Sequence, residues 1–173
     1  MANIKLKNLK YVNKYNKMKF IISDVFYDRS VNLTKNYLNI KLYELGPDSV
    51  VYYRICGSQL PTLHERESLR KKILPKYCPK LNRYNEIDNP IFNIILTYPL
   101  SNKTVEIPVN LVDMTWVDLF EIITDVYLEL EANQDKYGVY FWGHSVNDLD
   151  LGHLIFRKDP VHDKNIILLF IDS

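Results

Sequence analysis

The sequence predicts an α+β chain, with mixed or antiparallel sheets and one long amphipathic helix in the C-terminal half. Three observations carry this reading. Short stretches alternate apolar and polar residues between Gly, Pro, Asn and Asp, as half-buried strands do. One segment, from Trp116 to about Glu131, repeats apolar residues at helical spacing instead. The composition is globular: 47% hydrophobic and 25% charged over 173 residues. That excludes a wholly disordered chain, a collagen-like repeat and a disulfide-dense scaffold. A chain of this length buries roughly 70% of the surface its unfolded form exposes, so it needs no covalent staple. Cys56 and Cys78 read as reduced thiols.

The elements follow in chain order. Residues 1 to 19 hold six lysines and no long apolar run, which reads as no signal peptide. Phe20 to Tyr27 is a predicted strand, bounded by Asp28-Arg29-Ser30. Tyr37 to Tyr43 alternates Leu38, Ile40 and Leu42 with Asn39, Lys41 and Tyr43, and a third strand is expected from Val50 to Cys56. Gly46-Pro47-Asp48-Ser49 lies between them, so a hairpin is the simplest pairing. Thr62 and Glu65 have capping-box spacing, and a sparse helix is expected over Leu63 to Leu74, closed by Pro75. Its apolar positions are Leu63, Leu69, Ile73 and Leu74.

In the second half, Ile91 to Leu96 and Val105 to Val109 are predicted strands. Pro108 cannot donate a ladder hydrogen bond, so the second strand should lie or end at an edge. Thr115 with Asp118 forms a capping box, and Met114 with Leu119 a hydrophobic staple. The apolar series Trp116, Leu119, Phe120, Ile123, Val126, Tyr127 and Leu130 then predicts a helix that stops near Asn133. Tyr137 to Gly143 reads as an aromatic strand, His144 to Gly152 as a turn-rich loop, and Leu154 to Phe156 as a short apolar run. After Asp159-Pro160, the nearly continuous apolar run Ile166 to Ile171 is expected to be a central strand.

The order strand, turn, strand, long helix, strand, irregular segment, strand over residues 91–172 resembles the ubiquitin-like β-grasp family. The resemblance implies that Val139 to Trp142 is the third strand and Ile166 to Ile171 the last and central one. It also implies a binding surface. The carboxyl-terminal Ile171-Asp172-Ser173 has no glycine pair for conjugation, so no modifier role is implied.

Charge divides the chain. Residues 1–89 carry 17 basic and 8 acidic side chains, a net of +9, whereas residues 90–173 carry 5 and 13, a net of −8. The polar run from Tyr84 to Pro90 marks a boundary between a basic N-terminal α+β lobe (1–89) and an acidic β-grasp-like lobe (90–173), either as two lobes or within one compact body.

Three clusters hold candidate chemistry. Asp118, Glu121, Asp125 and Glu129 share one face of the long helix, where mutual repulsion favours a basic surface opposite, either in another molecule or within residues 1–83. Arg66, Arg70, Lys71, Lys72, Lys76, Lys80 and Arg83 form a basic run suited to phosphate contacts, with Tyr77 and Tyr84 placed to stack on bases. His144, Asp148, Asp150 and His153 could converge on zinc, iron or manganese, although turn hydrogen bonds account for the aspartates more simply. Cys56 and His64, with Asp148 or Asp150 as orienter, would be a nucleophilic pair, whereas Cys56 in a strand reads as a buried hydrophobe.

The resulting expectation is a non-enzymatic macromolecular interaction protein, an accessory or inhibitory factor that binds another protein or its own copy and uses no cofactor. Nucleic-acid binding through residues 66–83 is the first alternative. A metal-dependent hydrolase using the 144–153 loop is the second. No stretch approaches the ~18 apolar residues of a spanning helix. No membrane partner is therefore expected, and the chain is placed inside the cell, in cytoplasm or nucleus.

Overall fold

A computed structural model describes residues 20–28, 37–41, 53–55, 67–74, 90–101 and 103–173. Seven strands form one mixed sheet: β1 (Ile21–Ser23), β2 (Tyr37–Lys41), β3 (Tyr53–Arg54), β4 (Ile91–Leu96), β5 (Thr104–Asn110), β6 (Asp150–Asp159) and β7 (Lys164–Asp172). The order across the sheet is β1-β5-β4-β7-β6-β2, and β3 also pairs with β6. One long helix, α1 (Trp116–Ala132), and a single turn, α2 (Gln134–Tyr137), complete the regular structure of the second half. The α+β class is as predicted. Strands from before and after residue 89 share the sheet.

Two antiparallel hairpins, β4–β5 and β6–β7, are joined by a parallel pairing of Asn93, Ile94 and Ile95 with Ile166, Ile167 and Leu168. Period-2 alternation sorts their side chains. Phe92, Ile94, Leu96, Val105, Ile107, Leu154, Phe156, Ile167 and Leu169 enter the large core shared with α1. Ile95, Ile155, Ile166 and Leu168 point to the opposite, outer face, where Val25 and Tyr27 pack against them. β7 is buried on both faces through most of its length, which explains its continuous apolar run. Pro108 pairs with Asn93, and β1 covers only Thr104 to Glu106. Its missing N–H therefore falls where β5 has no second neighbour among the described residues.

α1 begins as its sequence directs. The Thr115 hydroxyl accepts from the Asp118 backbone N–H at 3.1 Å, and the Asp118 carboxylate accepts from the Thr115 N–H at 3.0 Å. Every residue of the predicted apolar series is buried, and Asn133 caps the C-terminus.

Four expectations change. Val139 to Trp142 is not a strand, because Trp142 (φ 50°) and Gly143 (φ 78°) lie in the left-handed region and close a tight turn, with the His144 N–H donating to the Phe141 carbonyl at 2.9 Å. β6 occupies the sheet position instead and starts at Asp150, inside the predicted loop, with Gly152 as the extra residue of a bulge. The element order behind the β-grasp resemblance is thus not the one the chain adopts. β2 and β3 do not form a hairpin either. β2 pairs with residues 153–157 and β3 with residues 150–151, successive places on the same strand. A ten-residue β6, already fixed by β7 on one side, offers both segments a ready edge. In the first half, only Ile21–Ser23 of the run from Phe20 to Tyr27 is a strand; Tyr27 reaches the outer face. Finally, the described part of the predicted 63–74 helix is a 3-10 turn, Glu67–Arg70, then an isolated bridge between Lys72 and Thr115, and only residues 73 and 74 are α-helical. Leu69 and Ile73 are nevertheless buried as read.

Replacing Thr115 by alanine should remove the cap bond and cost about 1 kcal/mol in chemical denaturation, with serine retaining most of it. An alanine variant as stable as the parent would show that packing alone fixes the start of α1.

Candidate functional site

Asp118, Glu121, Asp125 and Glu129 of α1 are buried, so these four form no open acidic face. Asp118 is spent on the capping box. Glu129 accepts from the Tyr137 hydroxyl at 2.7 Å and the Asn133 amide at 3.0 Å. Burial, then that bond to Glu129, raises the Tyr137 phenol above its ordinary value. Glu121 is buried. Asp125 is 0% exposed, and neither carboxylate oxygen has a hydrogen-bond partner among the described residues. Burial pushes its pKa up to about 8. Helical spacing places all four correctly on one side of the helix; what lies over that side is a tertiary matter.

Of the basic run, Arg70, Lys71 and Lys72 are exposed, and Arg66, Lys76, Lys80 and Arg83 lie outside the described residues, as do Cys56 and His64. Lys72 meets Asp113 at 2.7 Å. The segment is tied to the start of α1: the Ile73 N–H donates to the Met114 carbonyl at 2.9 Å, and the Trp116 N–H to the Lys71 carbonyl at 3.3 Å.

His144, Asp148, Asp150 and His153 do not converge. No group of three or more His, Cys, Asp or Glu side chains suited to a metal occurs among the described residues. His153 stacks on Phe170 with ring centroids 4.1 Å apart, on the outer sheet face. Asp150 pairs with Arg54 at 3.4 Å, and Asp148 is exposed in a 3-10 turn, Val146–Asp148. His144 belongs to a different feature.

That feature lies at the end of the sheet where β4 and β7 finish. Three segments meet there: the turn from Thr97 to Ser101, the loop after α2, and the end of β7. Each is anchored. The Tyr127 hydroxyl donates to the Tyr98 carbonyl at 2.7 Å, and the Ser101 N–H to the Tyr140 carbonyl at 3.2 Å. The Phe141 N–H donates to the Gln134 side chain at 3.2 Å, and the Val146 N–H to Glu131 at 2.8 Å. Phe141 points into the core, leaving Tyr140 and Trp142 on either side of it exposed. The Tyr98 hydroxyl lies 2.7 Å from the Ser173 hydroxyl and 3.4 Å from His144 Nε2. Tyr98, Pro99, Leu100, Trp142, His144 and Ile171 line an open hollow of about 510 Å³. A second hollow of about 570 Å³ is lined by Glu131, Gln134, Asp135, Lys136 and Tyr140, which stands two residues before Trp142 on the same loop. Sequence reading missed this site because its residues come from three distant segments. The one local signal was Trp142-Gly143, read as strand.

A second polar constellation sits on the outer face. Glu106, buried, accepts from the Tyr27 hydroxyl at 2.7 Å, the Asn93 amide at 3.1 Å and Lys164 at 3.3 Å. Asp159, also buried, meets His162 Nδ1 at 2.6 Å and Arg157 at 3.7 Å. Arg157 donates to the Asp28 carbonyl, and the Tyr27 ring lies 4.6 Å from that of His162. Burial and the bond to Glu106 raise the Tyr27 phenol, keeping it a donor. Thr104 adds a bond to the Val25 carbonyl at 2.6 Å, and Lys103 an ion pair to Asp24 at 2.9 Å. These contacts fasten residues 24–28 across the sheet.

The chain matches no family model, no curated protein and no solved structure in comparisons with each. No described helix is long and apolar enough to cross a membrane.

Asp125 carries a pH signature. Its pKa is raised from 3.8 to about 8 by folding. The folded chain therefore holds a proton that the unfolded chain releases, and stability falls as pH rises between those values. Asp125→Asn should flatten this slope and stabilise the fold at pH 8 by roughly 5 kcal/mol, the two proteins converging near pH 4. Parallel pH–stability curves for parent and variant would place the proton elsewhere.

Proposed function

We propose that the chain is a protein-interaction module that docks a partner in the groove formed by Tyr98, Trp142 and His144. The observation that supports this reading is Trp142 itself. It is 72% exposed at the rim of the hollow, on a left-handed backbone that a bulky residue adopts only at a cost. Folding gains little from an indole in that position. Exposed aromatics beside a groove are the side chains that dominate binding energy when a partner covers them. Around Trp142 the frame is rigid: Tyr127 holds the Tyr98 turn from inside the core, and Phe141 anchors the loop. A partner would thus meet a preformed surface and bind without ordering it first.

Trp142→Gly separates the two roles. Glycine accepts the left-handed conformation freely, so the variant should be more stable by about 0.5–1 kcal/mol. It should also lose the partner, with affinity falling by about 30-fold or more, as for a central aromatic anchor. The check is co-purification from native extract, parent against variant, followed by titration of the partner so identified. A stabilised variant that retains every stoichiometric partner would sink the proposal.

A further inference from the structure

The identity of the partner's contact residues can be read from the surroundings of the groove, on the docking reading above. We infer that the groove accepts an extended segment of a partner protein carrying lysine or arginine beside an apolar side chain. The two hollows on either side of Phe141 in the chain have different chemistry. One is aromatic and apolar, with Trp142, Tyr98 and Ile171; the other presents Glu131 and Asp135, with Tyr140 on its wall. Tyr140 and Trp142 flank the buried Phe141, so a segment lying along this loop spans both.

Charge selects the occupant. In the second hollow Asp135 is exposed and Glu131 half-buried, with Lys136 the one base among the described lining residues, and Asp148 and Asp172 are exposed at the same end of the fold. Two described bases at this end are engaged by other groups, Arg54 by Asp150 and the Asn147 carbonyl and Lys103 by Asp24, and the exposed bases Arg70, Lys71 and Lys72 lie elsewhere. They are bonded to the start of α1 through Lys71 and Trp116, whereas the hollows adjoin its end and the α2 turn that follows. A cation here meets carboxylates and the electron-rich faces of Trp142, Tyr98 and Tyr140, two attractions that reinforce one another. A nucleic acid would find aromatic faces for stacking, but its phosphates would meet the same carboxylates.

Trp142 supplies the readout, since the other tryptophan, Trp116, is 1% exposed. The intact protein is titrated with three pools of short peptides and with polyuridine, and the protection of tryptophan fluorescence from acrylamide is followed. The peptides share a central leucine, proline or aromatic residue and differ in lysine/arginine, serine/asparagine or aspartate/glutamate flanks. The basic pool should bind about tenfold tighter than the neutral pool at low salt and lose that advantage at high salt. Asp135→Lys combined with Asp172→Lys should weaken it about tenfold and leave the neutral pool unchanged, because both side chains are exposed. If the neutral or acidic pool protects Trp142 as well as the basic one, docking stands and the basic partner is wrong. Stronger protection by polyuridine than by any peptide would overturn a protein partner of this chemistry. No protection by the basic pool also refutes the inference, while the Trp142→Gly co-purification decides docking separately.

Discussion

Three residue pairs hold the molecule together. Asn93, Ile94 and Ile95 lie parallel to Ile166, Ile167 and Leu168, and without that contact the second half is two separate hairpins. A parallel pairing cannot be closed by a tight turn; the chain must travel before it returns. Here the journey runs through β5, α1, the loop after α2 and β6. The helix can cover the sheet because the strands it covers are already joined, and the turn after β4 reaches the end of β7, where the Tyr98 hydroxyl meets that of Ser173. The groove is a by-product of that register.

Sealing α1 has an electrostatic side. Its circumference is enclosed almost throughout, carboxylates included, and the protein treats each of them differently. Asp118 and Glu129 receive hydrogen bonds that repay much of the cost of leaving water. Asp125 receives none and keeps a proton instead. On the outer face the same problem has a third solution, where Glu106 and Asp159 are matched by cations and a phenol. Buried polar groups thus serve to fasten a segment in one place and remain uncompensated in another.

How much of this was legible depends on range. The capping box, the apolar series of α1, its stop at Asn133 and the central β7 were all readable, because each is set by neighbours within a few positions. Pro108 was placed near an edge from its missing donor alone. The aromatic run from Tyr137 to Gly143 misled, since β-propensity describes what packs well on a sheet and is silent on the left-handed turn at Trp142. β2 and β3 were expected to pair because they are close in sequence, but the edge of β6 competed and won. The acidic face was visible as a pattern, yet its burial comes from the tertiary fold. The groove left no local pattern at all, being assembled from residues near 98, 142 and 171.

The strap across the outer face makes the fold depend on the order in which the chain is made. Tyr27 finds its acceptor, Glu106, 79 positions later, and the Asp28 carbonyl finds Arg157 after 129. β1, β2 and β3 likewise have their strand partners, among the described residues, in β5 and β6. During synthesis, these early segments leave the ribosome with their backbone donors and acceptors unmatched and must wait for most of the chain to appear. Contacts of such span close slowly, because the intervening loop must be ordered before anything is gained. β7, which follows the other described strands in the chain, is the one that unites the two hairpins. A nascent chain halted short of β7 would expose edges of β4 and β6 that the folded sheet covers, so the interval before β7 emerges is when this sheet is most open to pairing with the wrong neighbour.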